Sequence, residues 1–287
     1  TLHHQKKIMN SHSFDLPRLL RDTDALKVEM FPLPPHFAIA CDEYTRLCHA
    51  SAVAATLLAD QPISETEGRL FDMLLTSLGL AERRSTVWQM AADLNRDSLR
   101  EFLQALRQHQ LASSFMLDVL VLCRLDGPLS QQQLTLLSEL AELLQLPEDD
   151  LLVLTFWASK VLGLPFDTAF PESCLVSVFV TMYSRQKKHV SGGSGSMFFH
   201  GFEVEKQFVQ SGEMLAEEQL ILISNEIAQG EKMLVREASS GSAGYLHKVL
   251  LKKGDFLKGG ELAALFLPFP PAYAVWREAV GIPAVAP

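Results

Sequence analysis

No apolar run in this sequence is long enough to cross a membrane, cysteines are few, and positive charge is in deficit. A membrane helix needs about 20 consecutive apolar residues. The longest suspect, Cys174-Leu-Val-Ser-Val-Phe-Val-Thr-Met-Tyr183, falls well short of that. Its Val and Phe content favours a strand, while a short helix, or the stump of a segment cut away, also fits. Lys and Arg number 25 against 34 Asp and Glu, a net charge of −9, which excludes a general affinity for nucleic acid or anionic membrane. The one basic run, Arg185-Gln-Lys-Lys-His189, reads as a solvated end. The four cysteines (Cys41, Cys48, Cys123, Cys174) form no CxxC pair, which suits a reducing compartment and buried thiols. Cys41, Cys48 and His49 lack a fourth partner at metal-ligand spacing. There is no P-loop, no GxSxG elbow, no HExxH and no zinc ribbon, so catalysis is not expected. The expected location is the cytoplasm or the inner face of the membrane.

What is present is organised around Ser191-Gly-Gly-Ser-Gly-Ser196. Such a run behaves as a flexible coil of roughly 14 Å span, and Met197 follows it directly. It reads as an artificial joint over 191–196, either tethering two partners or replacing a removed segment. Before it the sequence is helical in grammar, rich in Leu and Ala; after it come short alternating runs broken by Gly-acid pairs. A chain of 287 residues suits two domains.

Residues 1–37 are expected as an N-terminal extension, with a short helix near Leu16–Val28. Phe31-Pro-Leu-Pro-Pro35 then forces extended backbone. From Ala38 the helical pattern contains an internal repeat. Asp60-Gln-Pro-Ile-Ser-Glu-Thr-Glu67 answers Asp126-Gly-Pro-Leu-Ser-Gln-Gln-Gln133, and the register holds through Leu70/Leu136, Leu74/Leu140, Leu78/Leu144, Leu80/Leu146 and Val87/Val153. Ser64-x-x-Glu67 and Ser130-x-x-Gln133 are both capping boxes, in which the serine oxygen takes a backbone N–H and the longer side chain reaches back. Leu70, Phe71, Leu74, Leu75 and Leu78 fall on one face and need burial.

An Asp-Gly-x-Leu-Ser turn followed by a leucine-rich helix ending in Leu-x-Leu resembles the TerB-like domains, all-helical modules named for tellurite-resistance proteins and also found in a membrane-anchored J-domain co-chaperone. The resemblance implies a bundle of two pseudo-symmetric halves over 38–170, and a non-catalytic role in bacterial assemblies linked to membranes or stress. It also implies a divalent-cation site in the acidic turns, at Asp60, Glu65, Glu67 and Asp126, although Gln133 stands where a further acid would be. Capping accounts for Ser64, Glu67, Ser130 and Gln133 without a metal. Residues 171–190 are expected as a tail.

The C-terminal piece holds a second repeat. Gly212-Glu213 answers Gly254-Asp255, Leu215 answers Leu257 and Leu220 answers Leu262, each unit being strand, turn, strand. Over 197–267 this resembles the biotinyl/lipoyl carrier barrel and the barrel-sandwich hybrid of membrane-fusion proteins. Carriers of that family modify a lysine at a hairpin tip, which here would place lipoate or biotin on Lys232 in Glu231-Lys232-Met233. The hairpin leading to Lys232 is several residues longer than the modified kind, and a ligase reads hairpin geometry. Residues 268–287 form a proline- and aromatic-rich tail. Phe269, Tyr273 and Trp276 need burial against the barrel end, the helical domain or a missing partner.

The fold expected is therefore multidomain α + β, an all-α TerB-like bundle with a two-fold repeat followed by a small all-β lipoyl-like barrel. The expected function is a non-catalytic interaction or scaffold protein whose two pieces bind each other, with protein partners and with membrane association only through a partner or a removed segment. A carrier modified at Lys232 and a metal-responsive module are the alternatives.

Overall fold

A computed structural model of the chain describes residues 19, 22–23, 26, 30, 32–59, 62–180, 185–186, 202–226, 234–257 and 260–279. Helices come first: α1 (Glu43–Leu58), α2 (Glu65–Ser77), α3 (Arg84–Ala92), α4 (Arg96–Gln108), α5 (Ala112–Cys123), α6 (Gln131–Leu143) and α7 (Glu148–Val161). Strands β1 (Val176–Phe179), β2 (Arg185–Gln186), β3 (Phe202–Gln207), β4 (Met214–Leu215), β5 (Leu220–Glu226), β6 (Leu234–Ser239), β7 (Gly244–Val249), β8 (Phe256–Leu257) and β9 (Leu262–Pro268) follow. A last helix, α8 (Tyr273–Ala279), closes the described chain. No helix among the described residues is long and apolar enough to cross a membrane.

Local chemistry sets the helix ends. Asp42 accepts the Thr45 N–H at 2.9 Å at the start of α1. Both expected capping boxes form: Ser64 with Glu67 at α2, and Ser130 with Gln133 at α6. Stop signals recur as well. Gly79, Gln110, Gln145 and Gly163 all take positive φ, and the leucine after each returns its N–H to a carbonyl of the last helical turn, at 2.8–2.9 Å. That is the Schellman closure, with its apolar residue just past the turn. Glutamine at two of the four positions shows that the closure outweighs the left-handed strain on a residue with a Cβ.

The repeat read from the sequence is also a repeat of elements. α2 and α6 have 13 residues each and start 66 residues apart. α1 packs on α3 as α5 packs on α7, and α1 and α5 meet in the middle. α5 supplies the centre: Ser114 through Cys123 are all buried.

The strands form two antiparallel sheets, ordered β1-β9-β7-β4 and β2-β6-β5-β3-β8. β3, β4 and β5 recur 42 residues later as β7, β8 and β9, with matching bounds. Gly212 (φ 97°) and Gly254 (φ 93°) make the equivalent turns that only glycine enters without strain. In the second sheet β6 lies beside β5; in the first, the equivalent place beside β9 is taken by β1. Val176 pairs with Phe266 and Val178 with Ala264.

Residues 171–190, expected as a tail, therefore contribute β1 and β2 to the sheets. The sandwich begins before the Ser/Gly run, and the change from helix to strand falls between Val161 and Val176. The run itself (191–196) lies outside the described residues. The reason is pairing: an apolar strand such as Val176–Phe179 needs a partner, and the partner is β9, far along the chain. At the other end, Leu33 and His36 of the expected extension are buried in the bundle.

The sandwich has an apolar core of its own, built on Val178, Val204, Leu222 and Leu246 among others, but the end of its last strand and the residues after it are buried in the core of the bundle. Leu267, Ala272, Tyr273, Val275 and Trp276 are buried in the same cluster as the helices, with Tyr245 packed against it. Trp157 on α7 meets Tyr273 at 4.4 Å and Phe269 at 4.9 Å between ring centroids. Phe156 meets Tyr245 of β7 at 4.8 Å. The Lys160 ammonium lies 4.9 Å from the Tyr245 ring centre, a cation–π contact across the same junction.

Candidate functional site

Four residues from distant parts of the chain meet at the centre of the molecule: His36, His49, Asp118 and Trp276, all fully buried. Pro34 and Pro35 deliver His36 in extended backbone, and its own N–H is fixed to the Ser77 carbonyl at 3.0 Å. His49 projects from α1. Asp118 is the only charged residue in α5, and Trp276 arrives on α8.

One carboxylate holds the group together. Asp118 Oδ2 lies 2.7 Å from His49 Nε2 and 3.1 Å from His36 Nε2. Oδ1 accepts the Trp276 indole N–H at 2.7 Å. The proton on His36 is placed by its other nitrogen: Nδ1 accepts the Ala38 backbone N–H at 3.0 Å, so Nε2 carries the hydrogen and donates to Asp118. His49 Nδ1 is buried without a partner, so a proton there would be stranded and its hydrogen also sits on Nε2. Three N–H donors thus converge on one buried charge, as a solitary carboxylate in an apolar interior requires.

The electrostatics follow this geometry. Burial alone would raise the Asp118 carboxyl, but the His36 and then the His49 rings outweigh it and hold it well below the carboxylate range. Burial lowers His49, against the opposing pull of Asp118. Unfolded, His49 takes a proton below about pH 6.5, whereas folded it stays neutral further down. The stability it confers is complete above that pH and is lost as pH falls. Asp118 acts in the same sense below about pH 4. The unfolding free energy from urea titration is therefore expected to fall as the pH drops below about 6.5, by up to about 1.4 kcal/mol per pH unit from His49. His49→Gln is expected to flatten that part of the profile; an unchanged slope would contradict a neutral buried ring.

The trio His36, His49 and Asp118 has its ligand-type atoms within 4.8 Å of one another, close enough to share an ion. The proton assignment argues against one. A ligating histidine offers a lone pair to the metal and keeps a hydrogen on the other nitrogen. Here Nδ1 of His36 is occupied as an acceptor, so both imidazoles present N–H to the carboxylate. The set is built to hold a charge rather than a cation.

The sequence-read residues fall elsewhere. Glu67 Oε2 accepts the Ser64 N–H at 2.8 Å, so it is spent on the cap. Glu65 and Asp126 are exposed, and neither belongs to the ion-sized group found among the described residues. Asp60 and Lys232 lie outside the described residues. Cys48 is buried, its thiol pushed up to about 11, and Cys41 is also raised by burial, so neither is a ready thiolate. Phe269, Tyr273 and Trp276 are placed against the helical bundle. The His–Asp pairing itself carried no sequence signal of spacing. A lone aspartate in the apolar stretch Ala112–Cys123 was the one clue. No protein-family model, curated protein or solved structure matches this chain.

Proposed function

We propose that this chain is a non-catalytic interaction protein, its helical bundle and β-sandwich held as one body that serves as a scaffold in a larger assembly. The observation that supports this reading is the seating of Trp276. An indole from the C-terminal helix donates to a carboxylate in the middle of the bundle, surrounded by an aromatic junction. Such an anchor fixes the two layers relative to each other, which suits a platform. A carrier works by swinging a prosthetic arm and has no need of it. The polar cluster with the strongest chemistry is fully buried and its carboxylate is taken up by three N–H donors of the chain itself, so it offers no substrate a way in. Helical halves repeating at 66 residues and strand units repeating at 42 are in keeping with a TerB-like bundle and a carrier-type barrel. On that resemblance the assembly is bacterial and cytoplasmic, or lies at the inner face of the membrane.

The test has two parts. Intact mass of the chain from a host with active lipoate and biotin ligases is expected to be unmodified; an adduct on Lys232 would replace the scaffold reading with the carrier one. In lysate of the cells that make it, the chain is expected to sediment well beyond its purified form. Sedimentation at the purified position under gentle lysis would count against a scaffold.

A further inference from the structure

One face of α4 differs from the rest of this acidic chain. Arg96, Arg100 and Arg107 are exposed, and Leu99 and the buried Leu103 run beside them. Spacings of four and seven keep the arginines in one row, and the two leucines, four apart, form the next. With Leu143 at the end of α6 they line an open cleft of about 840 Å³. Among the described residues no Asp or Glu lines it, although the chain carries a net charge of −9. Arg107 is braced at one end by a 2.7 Å hydrogen bond to Gln145. Arg100 meets Asp97 at 3.0 Å, an exposed pair of small worth that a better-placed carboxylate can replace.

In the first half of the helical repeat the matching place is filled. Leu143 is the last residue of α6 as Ser77 is the last of α2, 66 residues earlier. Ser77 is buried, and its carbonyl accepts the His36 N–H at 3.0 Å. The extended stretch that carries the buried Leu33 and His36 thus lies on the end of α2. At the end of α6, Leu143 is 52% exposed and the cleft beside it is open. The first half closes this joint with a segment of its own chain. The second presents a leucine floor with an arginine border.

We propose that the α4 cleft takes an acidic peptide segment of a separate partner protein, with carboxylates on the arginine row and a large apolar side chain against Leu103 and Leu143. Arginine meets a carboxylate through two parallel N–H bonds, so each pair sets register as well as adding affinity. The apolar anchor supplies the desolvated centre that a small interface needs. Two long stretches of this chain cannot supply the acid. Residues 1–31 carry five Lys and Arg against four Asp and Glu, and residues 181–201 carry three Lys and Arg and no acid. From Arg96 to Arg107 the cleft runs about 17 Å at 1.5 Å per residue, the length of a short linear segment. The inference rests on the interaction reading above and names the chemistry of the partner, but it is tested on purified protein.

Phage display of random peptides of about 16 residues, long enough to span the cleft, is run against the purified full chain. Enriched sequences are expected to be rich in Asp and Glu with Leu, Ile or Phe among them. A synthetic copy of the strongest is expected to bind about tenfold or more less tightly to R96E/R100E and to L143S than to wild type, and to weaken as salt rises. Both variants change only exposed side chains, so thermal unfolding is expected to be unchanged. Enrichment without acidic residues overturns the proposal, and so does an acidic peptide that binds both variants as well as wild type. A wild-type dimer in sedimentation equilibrium that R96E/R100E abolishes also overturns it, by giving the cleft to a second copy. Binding to phosphatidylglycerol vesicles that the same variant abolishes gives the cleft to a membrane and overturns it too. A heavy lysate complex found with no acidic peptide enriched sinks this inference and leaves the interaction reading standing.

Discussion

Asp118→Ala is expected to destabilise the protein by about 3–5 kcal/mol, the range for removing one partner of a buried charged network. The substitution leaves the His36, His49 and Trp276 N–H groups facing an apolar gap with no acceptor, and each stranded donor costs about 1–3 kcal/mol. Asp118→Asn is the informative companion. Its amide oxygen can still accept, and its NH2 would confront an imidazole N–H. His49 has a way out, since its unpartnered Nδ1 can take the proton and free Nε2 to accept. His36 has none, because Ala38 holds its Nδ1. The loss for asparagine is therefore expected to be smaller, about 1–2 kcal/mol. Urea unfolding of both variants checks the order. An alanine variant within 1 kcal/mol of wild type would mean the donors do not converge on this carboxylate.

Trp276→Ala is the second large effect, about 3–5 kcal/mol from lost packing, and its signature is a change in cooperativity. Trp276 and Tyr273 are among the largest fully buried side chains, and they belong by sequence to the strand-rich part while packing in the helical core. Wild type is expected to unfold in one calorimetric transition and the alanine variant in two, the sandwich and bundle melting apart. Trp276→Phe keeps most of the volume and loses only the indole N–H to Asp118, so it should remain single-step at a cost of about 1–2 kcal/mol. Two transitions already in wild type would contradict a sandwich locked to the bundle through Tyr273 and Trp276.

The helical repeat was legible because its signals are local. A serine three residues before Glu67 or Gln133 caps the same helix it precedes, and the closing turns at Gly79 and Gln145 sit within five residues of the carbonyls they serve. The strand repeat was legible for the same reason, through the glycines at 212 and 254. What escaped was long-range. Val176–Phe179 is a run of ambiguous type until β9 gives it a partner, whereas the Ser/Gly run is conspicuous in the sequence by itself. The cluster at Asp118 draws on a proline-led coil, two helices and a terminal helix, and no spacing rule links positions 36, 49, 118 and 276. The cation site in the acidic turns comes from the family resemblance and not from the residues, whose capping pattern is what the structure shows at Glu67.

Trp276 also sets a clock on synthesis. Asp118 leaves the ribosome 158 residues before the indole that completes its hydrogen bonds. At elongation rates of about 5–20 residues per second, the bundle waits roughly 8–30 s with a charged side chain at its centre one donor short. A nascent chain in that interval has its helices, its caps and both histidines, yet not the residue that seals them. A ribosome stalled within the strand region would hold a bundle whose central carboxylate still lacks the indole N–H that Trp276 supplies.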